Sequence, residues 1–340
     1  MSDKLLSIIV PAYNMEAFLP KCLGSLVFDG VLFQQLDVLV VNVGSKDKTS
    51  EIAHDFSRRY PGVFRVVNKC NSHYGSCVNC GLNESVGRYV KILDADDCFD
   101  TEGLAQFVDY LSRHDDDLIL SDFVMIDATD QVLARREYPR TLDIMVDNLL
   151  SEENPLQHHA ITYKTQLLRR IEYRQSEGVA YSDAEWCIYP ISGVGTISHS
   201  GCTVYRYLLG REGQSVSQYH AKIEDLKTVL ANMMRNFSHY SQMCINERNQ
   251  VFVARRILDN LRFVAEVIIA NAKLCDLKRE FRELCKLAED CQELYTQFMR
   301  MTILRKAGNL KLFRLMRNHF LLALPLVLIY RLRLRVGGGR

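Results

Sequence analysis

Charge of one sign is what this sequence most lacks: 42 lysines and arginines face 41 aspartates and glutamates in 340 residues. That balance argues against a dedicated nucleic-acid binder, which needs a basic stripe to meet phosphates. A long apolar run is missing too. The strongest one, Phe320–Tyr330, falls far short of the ~20 residues that span a bilayer. No cleavage-type leader is visible, since MSDKLLSIIVPAYN passes from one lysine straight into a strand-like run. The 11 cysteines follow no regular framework, so the expected setting is reduced and cytoplasmic rather than a disulfide scaffold. Cys77 and Cys80 make a C-x-x-C with Cys70 nearby, but no second pair completes a zinc set.

What is present is enough apolar residue, 48%, for a sizeable core. The length suits one large domain plus an extension. LLSIIV (Leu5–Val10), LDVLVV (Leu36–Val41), VFRVV (Val63–Val67) and RYVKIL (Arg88–Leu93) read as short buried strands. Helical spacing over Glu16–Val27, Ser50–Tyr60 and Gly75–Ser85 separates them. Strands alternating with helices predict crossovers and a mostly parallel central sheet, an α/β fold with helices on both faces. Further on, a helix is expected over Glu102–Arg113, a strand in DLILSDFVMID and a strand-to-helix turn in HHAITYKTQLLRR. YSDAEWCIYPI reads as one helix and CTVYRYLL as a strand. From about Tyr219 glycines become rare and the pattern is helical, which predicts a first domain over 1–218 and a helical C-terminal domain over 219–340.

In a parallel sheet, ligands bind beyond the carboxyl ends of the strands. The polar loops PAYNME, NVGSKD and DADD all fall there. Asp115–Asp117 is a second D-x-D, but it precedes a strand instead of following one. Position therefore favours Asp94, Asp96 and Asp97 as a metal and phosphate site over a solvated turn. Carboxylates crowded at a strand end repel unless a cation sits among them, and such oxygens suit Mg2+ or Mn2+.

SIIVPAYNMEAFLPKCLGSL, LDVLVVNVGSKDKTSEIA, VGRYVKILDADD, YSDAEW and YRYLLGREGQSVS, in that order, resemble family-2 glycosyltransferases of the GT-A fold over about residues 5–218. NKCNSHYGSCVNCGL is similar to bacterial members that build surface polysaccharides. The resemblance implies a nucleotide-sugar site, with a UDP-sugar as the expected donor, at Pro11, Tyr13, Glu16, Val43, Asn79, Asp94, Ala95 and Asp96. It implies Asp96 nearest the metal, Asp94 nearest the ribose or sugar, Asp183 as general base, and His220 as a further metal ligand. It also implies inversion at the anomeric carbon, a Mn or Mg cofactor, and a saccharide or lipid-linked acceptor.

Two positions depart from that family. Val43 stands where an acid is usual, and valine cannot bond a base edge; Ser182 replaces a glutamate beside Asp183. Both favour a second function, a catalytically weak relative that binds and helps assemble a polysaccharide-synthesis complex. A nucleotidyltransferase is a third, though its Gly-rich N-terminal loop is absent. Other residues carry plainer readings. Tyr13 also reads as a strand-end aromatic, and Asp183 with Glu185 as acids at a helix start. His73, His158 and His159 read as loop or packing histidines, and Arg135–Arg136 as a solvated hairpin. Phe320–Tyr330, flanked by Arg314, Arg317, Arg331, Arg333 and Arg335, reads as an interfacial anchor on the inner face of the plasma membrane or as a helix packed on protein. The helical domain also offers a surface for a homo-oligomer.

Overall fold

The computed structural model describes residues 4–70, 73–140, 156–211, 214 and 222–290. The chain divides into two compact units, Met1–Glu212 and Gly213–Arg340.

The first unit is built on a nine-stranded sheet. Strands β1 (Leu6–Ala12), β2 (Leu36–Asn42), β3 (Phe64–Asn68) and β4 (Tyr89–Ile92) are parallel, in the order β3-β2-β1-β4. Every residue of β2 is buried and nearly every one of β1, the unbroken apolar texture of strands covered on both faces. Their polar exceptions are satisfied. Ser7 donates to Asp37 at 2.6 Å, and Asp37 also accepts from Arg65 at 2.8 Å. Helices α1 (Leu19–Gly24), α2 (Thr49–Arg59) and α3 (His73–Glu84) make the crossovers. The first is much shorter than the Glu16–Val27 expected.

Beyond β4 the sheet becomes mixed. The two-residue β5 (Cys98–Phe99) leads into α4 (Thr101–Ser112), whose N-cap Asp100 accepts from Gly103 N–H at 2.9 Å. Then β6 (Leu118–Ile126) and β7 (Val132–Arg136) form a hairpin that leaves Arg135 and Arg136 exposed. A 3-10 turn, His158–Ala160, precedes β8 (Ile161–Lys164) and α5 (Thr165–Arg170). Strand β8 lies antiparallel between β4 and β6, and β9 (Ile197–Leu208) runs parallel to β6.

The single helix expected over YSDAEWCIYPI is broken. One turn, α6 (Asp183–Trp186), is followed by a separate 3-10 turn at Tyr189–Gly193. Pro190 explains the break, because it has no N–H and its ring would crowd the carbonyl of Trp186.

The second unit contains α7 (Ile223–Gln242), α8 (Glu247–Asn271) and α9 (Leu277–Asp290). Met233, Phe237, Ile257, Leu261, Leu277 and Leu284 are buried in its core. Asn246 caps α8 by accepting from Asn249 N–H at 2.9 Å. Lys227 bonds Glu280 at 2.8 Å and Glu283 at 2.6 Å, tying α7 to α9. Among the described residues, no helix is long and apolar enough to cross a membrane.

Candidate active site

Registration of β1 with β2 and β4 brings their carboxyl ends level, with Ile9 opposite both Leu39 and Ile92. Four loop segments gather there. Residues 13–16, after β1, interlock with residues 42–49, after β2. Asn14 accepts from Lys46 N–H at 2.9 Å, Glu16 accepts from Lys48 N–H at 2.9 Å, and Met15 N–H donates to Thr49 at 2.7 Å. Gly44 sits at φ 70°, a conformation open to glycine at little cost. Of the expected base and ribose contacts, Tyr13 is exposed, Pro11 is partly exposed, and the Glu16 carboxylate is engaged in holding the neighbouring loop. Val43 is 2% exposed, so its side chain serves the core as much as any pocket wall.

The acidic turn follows β4. Asp94 accepts from the Tyr74 hydroxyl of α3 at 2.8 Å and from His158 Nε2 at 3.1 Å. Burial alone would raise the Asp94 pKa, but the charge and hydrogen bond of His158, with Tyr74, outweigh it and pull it down. For His158, burial is likewise the largest influence and lowers; Asp94 and then Asp183 reverse it, so the imidazole is raised. Asp96 bonds Arg211 Nε at 2.9 Å. Burial and the Asp94 charge still push the Asp96 carboxyl up, with Arg211 opposing them. Asp97 is fully enclosed, accepting from Leu208 N–H and the Tyr205 hydroxyl, both at 2.7 Å. Burial and its two acidic neighbours raise it well above the usual carboxylate range. Ala95 is buried within this turn.

Asp183 opens α6, behind Tyr181, whose φ of 63° is unusual for a non-glycine residue. Its pKa is raised by burial first, with His158 opposing and Asp94 adding. The same charge acts on Tyr74. Asp94, Asp96 and Asp183 thus share one electrostatic neighbourhood, with His158 and Tyr74 among them. Helix α3 is held against the segment that leads to Asp183. A Cβ on Gly75 would lie 2.0 Å from the Ser176 carbonyl oxygen. Asn79 belongs to this tie: it donates to Gln175 O and Glu177 Oε1, both at 2.8 Å, and accepts from Gln175 N–H at 2.9 Å. These bonds engage both amide hydrogens and one lone pair of the amide oxygen within the protein.

The donor set fits a divalent cation. Asp94 and Asp96 offer oxygen ligands in a partly buried turn whose negative charges oppose one another's ionisation. Their protein neighbours differ from each other: Asp96 is paired with Arg211, while Asp94 lies with His158. His220 lies outside the described residues.

Three contributors escaped the sequence reading. Tyr205 bridges Asp94 and Asp97, Arg211 pairs with Asp96, and His158 reaches Asp94. The first two lie within YRYLLGREGQSVS, and adjacency to that stretch was their signal. The His158–His159 pair had only its place just before a strand.

Residues 7–171 match the sequence profile "Glycosyl transferase family 2". An uncharacterized glycosyltransferase of Mycoplasma pneumoniae is 34% identical over 122 residues, 35% of this chain and 39% of that protein. The minor teichoic acid biosynthesis protein GgaB of Bacillus subtilis is 28% identical over 112 residues, 33% of this chain and 12% of that protein. The chain therefore spans well under half the length of these curated relatives. Among solved structures, S. aureus TarS 1-349 superposes with a TM-score of 0.68 at 17% identity, covering 98% of this chain and 92% of that one. The same protein in complex with UDP-GlcNAc gives 0.54 at 18% identity, covering 87% and 92%. At such identities the likeness is one of fold.

Proposed function

We infer that this chain, whose residues 7–171 match glycosyl transferase family 2 and which has the GT-A fold, transfers a sugar with inversion. The donor is a nucleotide-sugar, a UDP-sugar, and the acceptor a saccharide or lipid-linked saccharide in bacterial surface-polysaccharide synthesis. The observation that carries this reading is the placing of Asp94 and Asp96 in the loop after β4, at the carboxyl ends of the parallel strands, with the Asp94 charge bearing on both Asp96 and Asp183. TarS, of similar fold, takes UDP-GlcNAc, and GgaB serves teichoic acid synthesis; both support the donor and pathway class.

In this reading the carboxylates of Asp94 and Asp96 would hold Mn2+ or Mg2+, and the bound ion would supply positive charge opposite a nucleoside diphosphate. Asp183 accepts the proton of the acceptor hydroxyl as that oxygen bonds to the anomeric carbon. The bond from that carbon to the diphosphate oxygen breaks on the opposite side, and the nucleoside diphosphate leaves with the electron pair. General-base assistance of this kind contributes roughly 100- to 10,000-fold. Its raised pKa keeps Asp183 a better proton acceptor than an exposed aspartate.

Titration calorimetry with UDP, with and without Mn2+, tests the site. Asp96→Ala should abolish the metal-dependent part of UDP binding; unchanged binding would refute the assignment. Buried Val43 favours a second reading, a weakly active relative that binds and assembles. An assay of donor hydrolysis by the wild-type chain, with and without Mn2+, distinguishes the two, since the second reading expects little or none with any donor. Attachment to an anionic inner membrane surface through Phe320–Tyr330 and its flanking arginines, which lie outside the described residues, completes the proposal. Deleting residues 318–340 should release the protein from anionic vesicles, and salt should weaken the binding of the full chain.

A further inference from the structure

Buried polar atoms in folded proteins almost always have a partner, and those without one call for an explanation. His159 is such a case. It is 5% exposed, and both of its ring nitrogens lie buried without a hydrogen-bond partner. Its ring is enclosed by aromatic neighbours, with centroids 4.6 Å from Tyr205, 4.4 Å from Tyr207 and 5.1 Å from Phe123. A neutral imidazole offers one donor and one acceptor nitrogen, and packing alone uses neither. The remaining side is occupied by His158, with ring centroids 3.8 Å apart.

Asp94, His158 and His159 each present one ligand atom, and these atoms all lie within 4.8 Å of one another. We propose that these three side chains form a mixed oxygen–nitrogen site for a divalent transition-metal ion. The site shares Asp94 with the proposed donor site, so its part in transfer rests on that reading, whereas its ligand chemistry does not. An ion ~2.1 Å from each ligand atom would set those atoms roughly 3.0–3.4 Å apart, so a group spanning up to 4.8 Å must close on binding. Neighbouring bonds hold the Asp94 carboxylate and the turn that carries the two histidines. Tyr74 donates to Asp94 Oδ1 at 2.8 Å, leaving Oδ2 to face His158 Nε2 at 3.1 Å, a hydrogen bond that a shared ion would replace. The buried Lys91 ammonium donates to the His159 carbonyl at 2.8 Å and to Ile161 O at 3.2 Å, anchoring the turn that carries both histidines. Two imidazoles beside one carboxylate favour Mn2+, Co2+ or Zn2+ over Mg2+, which prefers all-oxygen shells. The charge of Lys91 opposes the ion, and those of Asp94, Asp96 and Asp183 favour it.

The test uses the untagged full chain, stripped with chelator, and metal alone without nucleotide. Pulsed electron paramagnetic resonance of the Mn2+-loaded wild type should show hyperfine coupling to coordinated imidazole nitrogen, a measurement that needs no substitution. Visible absorption on Co2+ titration should saturate at one ion, while His158→Asn and His159→Asn each weaken Co2+ binding by at least about tenfold. Oxygen-only coordination of Mn2+, or nitrogen coupling that survives unchanged in both variants, would overturn the site. Either result leaves the Asp96-dependent binding of UDP standing, so the two failures are distinguishable.

Discussion

Tyr205 and Asp97 share a buried hydrogen bond of 2.7 Å, and the same tyrosine oxygen accepts from the Asp94 backbone N–H at 3.1 Å. One hydroxyl on β9 therefore pins both ends of the acidic turn. Tyr205→Phe keeps the ring packed on Phe99 and His159 but leaves two buried polar groups short of a partner. The expected cost is ~1–3 kcal/mol, read as a lower urea midpoint for the first unit. Binding of UDP with Mn2+ should weaken with it. A midpoint equal to wild type would show that the turn is held by other bonds.

Asp183→Asn separates proton transfer from shape, because asparagine retains the size of aspartate but cannot take a proton at neutral pH. A base acts in the transition state and leaves ground-state binding alone. Transfer should fall by about a hundredfold or more, with nucleotide-sugar affinity within about threefold of wild type. Joint loss of stability and donor binding would mark Asp183 as a structural residue at the start of α6.

Val43→Asp restores an acceptor at the end of β2. If valine has only removed a contact to the base, UDP should bind tighter by roughly 0.5–1.5 kcal/mol, measured by calorimetry. The gain is set against burial of a carboxylate where the side chain is 2% exposed. No gain, with better binding of another nucleotide, would indicate a pocket rebuilt for a different base.

Glu185 gives the first unit a pH signature. Burial raises its pKa to about 7, against opposing bonds from Ser176 N–H at 2.6 Å and the Ser176 hydroxyl at 2.8 Å. The folded state then holds a proton that the unfolded chain releases near pH 4.5. This contribution to stability is complete below pH 4.5 and is lost as pH rises to about 7. Glu185→Gln should flatten that slope in denaturation midpoints measured across the window. An identical slope in the variant would assign it to another group.

The parallel half of the sheet was legible because buried strands leave an unmistakable mark. Leu36–Val41 and Leu5–Val10 are apolar runs closed by turn residues, and the structure has β2 and β1 there. DADD could be placed for the same reason, as the loop that ends such a strand. Helix length at Glu16–Val27 was less legible. Spacing alone does not register that residues 13–16 are already committed to the 42–49 loop. The partners of the acids were hidden for a different reason. His158 is 64 residues from Asp94, Arg211 is 115 from Asp96, and Tyr205 is 108 from Asp97. No local pattern encodes pairings made by the folding of β8 beside β4 and of β9 between β6 and β5. Asn79 shows the converse, a polar residue in a suggestive place whose bonds all close within the protein.

Helix α3 works as a ruler laid between the two chemical ends of the site. Tyr74 touches Asp94, while Gly75 and Asn79, one turn apart on a shared face, fix residues 175–177 on the way to Asp183. A helix advances 100° per residue, so one residue inserted between Tyr74 and Asn79 would turn one contact away while keeping the other. Length is therefore frozen along those six positions. By contrast, the turn Asp127–Gln131 between β6 and β7 carries its own bonds, Thr129 and Gln131 N–H to Asp127 Oδ1 at 2.8 and 3.0 Å. Its outward ties are the ion pairs of the half-exposed Asp130 with Lys21 and Arg206, pairs of a kind that contributes little. Relatives of this chain are free to grow or shrink there without shifting the distance between the acidic turn and Asp183.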